Sequence, residues 1–409
     1  MQCLVAAVRP LQVKELAEVL AVNFDAEVPK LNTNWRWDDQ EVAIMLACSS
    51  LVTIVKDGDS RIVQFSHFSV KEFLTADRLA VPVRDVSLYH IELEAAHTIL
   101  AQACIGVLLR LDDQVDRDNI KDFPLTRYAA EHWPNHAKFG TVSTRIKYGM
   151  ECLFDGDKPH FATWLWVYNE EMRKFMSTVR PENPDVVPLY HAAKLGFRDL
   201  AMHLIAEHPE HVDARGNWKR TAMHAATIGE NADILSLLLE HDADVDSRDG
   251  YGNTSLHWAA CCGTLGVGRY LLDLGADINA RDEYRRSPLY FAAYHGDAEF
   301  TQMLLERGAA IDAPNNQDET LLHEAAKRNN IQVAQLLLDY GADINARDSA
   351  GKTPLICAEL FGSFELARML RERGAVIDAS GRFRGGIGAI IDTPDYTFSG
   401  ACSAYERTR

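Results

Sequence analysis

The chain has no run of apolar residues long enough to cross a bilayer. Its longest uncharged stretch in a helical region, residues 95–109, includes His97, Thr98 and Gln102, too short and too polar for a span of about 20 residues. A secretion signal is missing too: Met1 to Val8 is apolar, but Arg9-Pro10 interrupts it at once. Positive charge is scarce. Lys and Arg number 42 against 59 Asp and Glu, a formal net charge of −17, which argues against wrapping nucleic acid or binding an anionic membrane. No two cysteines stand in Cys-x-x-Cys spacing. The eight (3, 48, 104, 152, 261, 262, 357 and 402) read as reduced thiols of a cytoplasmic protein, with neither a disulfide framework nor a zinc site.

Catalytic motifs fail on inspection. Gly351-Lys352-Thr353 carries the last letters of a phosphate-binding loop, but Ala346 stands where the loop needs glycine. His323-Glu324 begins like a zinc-protease helix, yet Lys327 occupies the second ligand position. Gly386-Ile387-Gly388 lacks dinucleotide spacing. No catalytic residue, cofactor or metal is expected, and the chain does not read as an enzyme.

What the sequence does contain is a period. Between Val187 and Ala379 a unit of about 33 residues is written six times. The units open Val187-Pro-Leu-Tyr-His-Ala-Ala, Thr221-Ala-Met-His-Ala-Ala, Thr254-Ser-Leu-His-Trp-Ala-Ala, Ser287-Pro-Leu-Tyr-Phe-Ala-Ala, Thr320-Leu-Leu-His-Glu-Ala-Ala and Thr353-Pro-Leu-Ile-Cys-Ala-Glu. The third residue falls at Leu189, Met223, Leu256, Leu289, Leu322 and Leu355, in steps of 34, 33, 33, 33 and 33. Alanine recurs at 192, 226, 259, 292, 325 and 358. A paired apolar step follows, from Leu204-Ile205 to Leu337-Leu338, and units close on Gly-Ala-Asp-Ile-Asn or a variant. Thr before Pro or a small residue predicts a capped helix start. The alanines predict two helices in close contact, and glycine predicts a left-handed end to the second. One unit cannot bury its own apolar face, so stacking must supply the core. The end units deviate as caps do. Val187 replaces Thr, an extra residue sits near Pro209, and Glu359 and Arg371 replace Ala and Leu. The pattern resembles the ankyrin repeat, whose signature is T-P-L-H-x-A, a second helix, then G-A-D-x-N.

Ahead of the repeats, Val13, Leu16, Ala17 and Leu20 share one face of a helix over 11–22. A second helix is expected from Asp39 to Ala47. Val52 and Ile54, then Val63 and Phe65, alternate around Asp57-Gly58 as a hairpin. Ser69-Val-Lys-Glu72 is a capping box for a helix to about Arg78. Helices are also expected over 88–111, 125–138, Tyr148 to Phe154 and His160 to Met176.

Helix, helix, hairpin is the outline of a winged helix. Ala7-Val-Arg-Pro-Leu-Gln-Val-Lys-Glu-Leu, Ala47-Cys-Ser-Ser-Leu-Val and Phe65-Ser-His-Phe-Ser-Val-Lys-Glu-Phe-Leu look like the region after the NTPase core of NACHT-type STAND proteins, best known from fungi. Tyr128-Ala-Ala-Glu-His-Trp-Pro-Asn-His-Ala resembles the helical segment that follows there. The resemblance implies a winged helix that restrains an NTPase and repeats that sense a partner. It also implies that His67 stands where such proteins contact nucleotide, with core packing as the other reading. The NTPase motifs of that family are absent. The chain is therefore expected to be the regulatory and sensing half of such a protein, either a truncated gene product or a naturally short one.

The expected fold is dominated by α-helix, with one small β-hairpin. It comprises a winged-helix-like module at 1–85, a helical linker domain at 86–183, six ankyrin repeats at 184–379 and a mobile tail at 380–409. In an ankyrin stack the hairpin tips and first helices line a concave face. The tip positions here are Asn217, Trp218, Arg220, Tyr251, Asn253, Tyr284, Arg286, Gln317, Glu319 and Lys352. The first helices add Tyr294, His295, Lys327, Arg328, Leu360 and Phe361. Exposed aromatics and arginines make interface hot spots. Trp258 and Phe291 are expected to be buried, and His224, His257 and His323 to hydrogen-bond the backbone between units. The expected function is a scaffold that binds a protein partner on the concave face, without nucleic acid or membrane; the sequence does not define its oligomeric state. A winged-helix nucleic-acid binder and an enzyme with an unrecognised site are the alternatives. The acidic balance opposes the first, and no assembled nucleophile and base supports the second.

Overall fold

The structure, a computed structural model, describes residues 1–24, 29–32, 39, 40, 42, 44, 51–76, 90–111, 120–168 and 187–376. The expected helix from Asp39 to Ala47 falls mostly outside these residues, and the tail at 380–409 wholly so. Two compact units divide between Pro188 and Leu189.

The first unit begins with α1 (Gln2–Ala6), β1 (Leu11–Gln12), α2 (Val13–Leu20), β2 (Val22–Asn23) and β3 (Lys30–Leu31). The hairpin β4 (Val52–Asp57) and β5 (Ser60–Phe65) follows, then α3 (Phe68–Leu74). β5 lies between β1 and β4 in an antiparallel sheet, with Leu11 opposite Val63 and Val52 opposite Phe65. Gly58 turns the hairpin at a φ of 57°, a left-handed conformation that suits glycine. The helix after the hairpin starts earlier than the Ser69–Glu72 box predicts. His67 is its N-cap, and Nδ1 accepts the Ser69 N–H at 3.2 Å. Its side chain is exposed, so it does not pack in the core.

At the centre of this unit stands α4 (Leu93–Leu108). It packs against α1, α2, α5 (Thr126–Ala137), α6 (Val142–Arg145), α7 (Lys147–Phe154) and α8 (Pro159–Tyr168). Leu100, Ala101, Ala103, Cys104 and Val107 are fully buried. The uncharged run at 95–109 thus falls almost wholly within a core helix with neighbours on several sides. A Cβ on Gly106 would stand 2.9 Å from the Pro29 carbonyl oxygen, so the close approach there requires glycine. Segments 1–85 and 86–183 consequently share one compact unit. Several of its buried polar groups are paired, although Thr126 Oγ1 is buried without a hydrogen-bond partner among the described residues. Glu15 accepts from both terminal nitrogens of Arg9, at 2.8 and 2.6 Å, and from the Gln12 N–H at 2.7 Å. Glu18 accepts the Leu125 N–H at 2.6 Å. The Tyr128 hydroxyl accepts the Val8 N–H at 3.1 Å and lies 2.9 Å from His136 Nε2. Desolvation pushes the His136 imidazole down to about 3, so it stays neutral inside the unit.

Among the described residues the second unit contains six helix pairs. The first helices are Pro188–Leu195, Ala222–Ile228, Ser255–Cys262, Pro288–His295, Leu321–Arg328 and Pro354–Leu360. The second helices are Arg198–Glu207, Ala232–Glu240, Leu265–Asp273, Ala298–Glu306, Ile331–Asp339 and Phe364–Glu372. All six recurrent alanines are fully buried. So is the first member of the apolar pair at Leu238, Leu271, Leu304 and Leu337. Gly275, Gly308, Gly341 and Gly374 follow the second helices at φ of 94°, 87°, 92° and 96°. Asp242 holds that place in the second unit at 64°. The extra residue of the first unit goes into a 3-10 turn, Pro209–His211. Glu359 and Arg371, both departures from the repeat, form an ion pair with each other.

The repeat histidines join consecutive units. Nδ1 of His224, His257 and His323 accepts the backbone N–H of Thr221, Thr254 and Thr320, at 3.2, 3.1 and 3.1 Å. Nε2 must then carry the proton. It donates to the carbonyls of Asn253, Arg286 and Lys352 in the next unit, at 3.0, 3.1 and 2.9 Å.

Two predictions follow from this wiring. No atom lies within 4 Å of a Cβ built on Gly341, so Gly341→Ala tests backbone strain alone. Urea titration should show a loss of about 1 kcal/mol, with Asp242→Gly shifting stability slightly the other way. The second concerns pH. Burial lowers the folded-state pKa of His257 from 6.5 to about 4. The unfolded chain therefore takes up the proton first on acidification. This contribution is complete above about pH 6.5 and disappears as pH falls through about 4. Melting temperature should drop across that window, and His257→Gln should flatten the slope.

Candidate partner-binding surface

Four of the five hairpin tips are shaped by an acceptor side chain at the base. Asp249 Oδ1 accepts the N–H groups of Tyr251 and Asn253, at 2.8 and 2.9 Å. Asp282 Oδ1 does the same for Tyr284 and Arg286, at 2.9 and 2.7 Å. Asn315 serves Gln317 and Glu319, at 2.8 and 3.0 Å, and Asp348 serves Ala350 and Lys352, at 2.9 and 2.7 Å. A short polar side chain that bonds its own backbone two residues on is a stable turn former. Neighbouring tips are tied by one backbone bond per seam: Gly250 N–H to Trp218 O (2.6 Å), Glu283 to Tyr251 (3.0 Å), Asn316 to Tyr284 (3.2 Å) and Ser349 to Gln317 (2.9 Å). The predicted tip positions therefore lie along one continuous row.

The structure divides the expected contact residues. Trp218, Tyr284, Leu360 and Phe361 are open, with 62, 43, 41 and 51 % of their surface exposed. His295, Gln317 and Arg328 are exposed as well, and Asn217 is on the open tip beside Trp218. Tyr251 is half-buried and stacks on Trp218, with ring centroids 5.7 Å apart at 19°. Tyr294 is half-buried under the Arg328 guanidinium, 3.3 Å from its ring centroid. Asn253 and Glu319 correct the expectation, being only 1 and 5 % exposed. Asn253 gives its side-chain amide to Asp249 and its carbonyl to His224, while Glu319 pairs with Lys327. Arg286 is half-buried and doubly bonded to Asp282 Oδ2, at 2.7 Å from both Nε and Nη2. Burial still pushes the Asp282 carboxyl up against that pairing. Lys352 lies 3.3 Å from Asp348. Trp258 and Phe291 are buried, as expected.

Sequence reasoning overlooked the tip-base residues Asp249, Asp282, Asn315 and Asp348, although they recur every 33 residues. It also left the closing Asp or Asn of each unit without a role. Asp246 accepts the Asp277 N–H at 3.0 Å, Asn279 the Ala310 N–H at 2.8 Å and Asn345 the Val376 N–H at 3.0 Å, linking each unit to the next. Among the described residues one trio has metal-ligand chemistry, the exposed His208, Glu210 and His211, whose donor atoms lie within 4.8 Å of one another. The repeat histidines take no part in it.

Comparison with known proteins agrees with this architecture. A family model described as ankyrin repeats (3 copies) matches residues 189–282 and 289–380, and one described as ankyrin repeats (many copies) matches 263–305. Residues 1–83 match the model described as GPI inositol-deacylase, winged helix domain. Azaphilone pigments biosynthesis cluster protein L of Monascus ruber is 30 % identical over 212 residues, covering 48 % of this chain and 44 % of that protein. The chain thus aligns with less than half of that relative's length. Winged-helix and ankyrin domains are typically non-catalytic, and ankyrin repeats indicate a role in protein interaction. Among the described residues no helix is long and apolar enough to cross a membrane. The chain carries an ankyrin-repeat array behind an N-terminal winged-helix domain of the GPI-inositol-deacylase type.

Proposed function

We propose that this chain is a protein-interaction scaffold that binds a protein partner through the concave side of its ankyrin stack. In this reading residues 1–183 are a regulatory module, and the chain acts in the cytoplasm as the sensing half of a NACHT-type STAND signalling protein. The observation that carries the proposal is the open set Trp218, Tyr284, Leu360 and Phe361 on the tips and first helices. Large apolar side chains held in water by a rigid scaffold are the raw material of binding hot spots, since covering them releases water at little entropic cost. A net charge of −17 favours a protein over nucleic acid as that partner.

The test is affinity capture with the immobilised full chain, beside the variant Trp218→Ala/Tyr284→Ala/Phe361→Ala. These side chains are exposed, so the melting temperature should stay within about 2 °C. A partner held by the parent should bind the variant at least about tenfold more weakly. Equal retention of the same proteins by both would remove this face as the site.

A further inference from the structure

The expected surface holds five cations, and four are matched by carboxylates. Arg286 pairs with Asp282, Lys327 with Glu319, Arg328 with Glu324, and Lys352 with Asp348. Arg220 is different. Among the described residues it has no ion pair, and its Nε is buried without a hydrogen-bond partner. Its guanidinium lies over the buried Trp258 ring, 4.1 Å from the centroid.

The cause is visible in the repeat. Arg286 and Lys352 each find their carboxylate four residues earlier, at the base of the same tip. The equivalent residue in the first unit is Gly216, so Arg220 has no carboxylate at the base of its own tip. The tip itself also differs. Trp218 and Lys219 are both left-handed, at φ of 59° and 53°. This places the open Trp218 ring on Tyr251, next to the Arg220 hairpin base.

A half-buried guanidinium, stacked on an indole and short of an acceptor, gains most from an anion that arrives from outside. We propose that Arg220 anchors a single carboxylate of the protein partner, an Asp or Glu side chain within an otherwise apolar segment. The Trp218–Tyr251 ledge takes the neighbouring apolar side chain. A lone carboxylate fits better than a polyanion. It matches the planar fork of one arginine, whereas a chain of net charge −17 repels a phosphate polymer. This inference rests on the reading of the tip row as the partner-binding surface.

The test selects random linear peptides on the full-length protein, with Trp218→Ala/Tyr251→Ala as the control for the ledge. Ledge-dependent peptides should be enriched in Asp or Glu. Replacing that acid by its amide should weaken binding to the parent at least about tenfold. The same replacement should change little on Arg220→Gln, and Arg220→Lys should keep part of the affinity. Thermal melts of both variants confirm that they fold. Ledge-dependent peptides without an acidic preference, or an Arg220→Gln affinity within about twofold of the parent, overturn the carboxylate anchor and leave the surface standing. An Arg220-dependent gain seen only with a single-stranded oligonucleotide overturns it as well. If no peptide depends on the ledge, the surface reading fails along with the anchor.

Discussion

A neutral imidazole shared between two backbone groups is the constraint on which the array depends. A histidine without its extra proton offers one N–H and one lone pair. At His224, His257 and His323 the lone pair takes the first free N–H of its own helix, and the N–H holds the hairpin of the following unit. One side chain therefore sets a helix start and the spacing between units together. Protonation would remove the acceptor, and burial opposes it. The fourth unit has Tyr290 at this place. There Ser287 caps the helix directly, and the Asn316 to Tyr284 backbone bond and the Asn279 to Ala310 bond carry the seam.

The same thrift governs the carboxylates. Asp249 accepts two tip N–H groups and the Trp258 indole N–H at 3.0 Å. Asp282 accepts two N–H groups and Arg286. Negative charge thus shapes the tips, and at Asp282 and Asp348 a cation four residues later compensates it. What remains open to a partner includes the aromatic and aliphatic side chains of Trp218, Tyr284, Leu360 and Phe361. Exposure, rather than residue type, separates the two groups: Arg286 and Trp218 both look like contact residues in the sequence, but only Trp218 has its surface in water.

The first unit solves a different problem. Its central helix α4 meets neighbours on several sides, so it is apolar beyond one face, and small residues such as Ala101, Ala103 and Gly106 allow close packing. Several of the polar groups that enter this core arrive already paired, Arg9 with Glu15 and Tyr128 with His136. An unpaired group there would cost the full price of its desolvation.

The sequence by itself determined the repeat, its period, the helix starts at Thr, the left-handed glycines, the hairpin around Gly58 and the bridging role of the histidines. Each follows from local backbone chemistry repeated in register, which a single chain displays in full. Only the tertiary structure decided which face residues are free. Asn253 and Glu319 were spent on Asp249 and Lys327, the departures Glu359 and Arg371 proved to be one pair, and His67 became a helix cap. Those outcomes depend on how side chains compete for partners in space, and most of the partners that settled them lie across a turn or a helix, where the spacing of letters gives no distance. Arg220 stands between the two cases: Gly216 announces the missing partner in the sequence, but only the structure shows the guanidinium over Trp258 without an ion pair among the described residues.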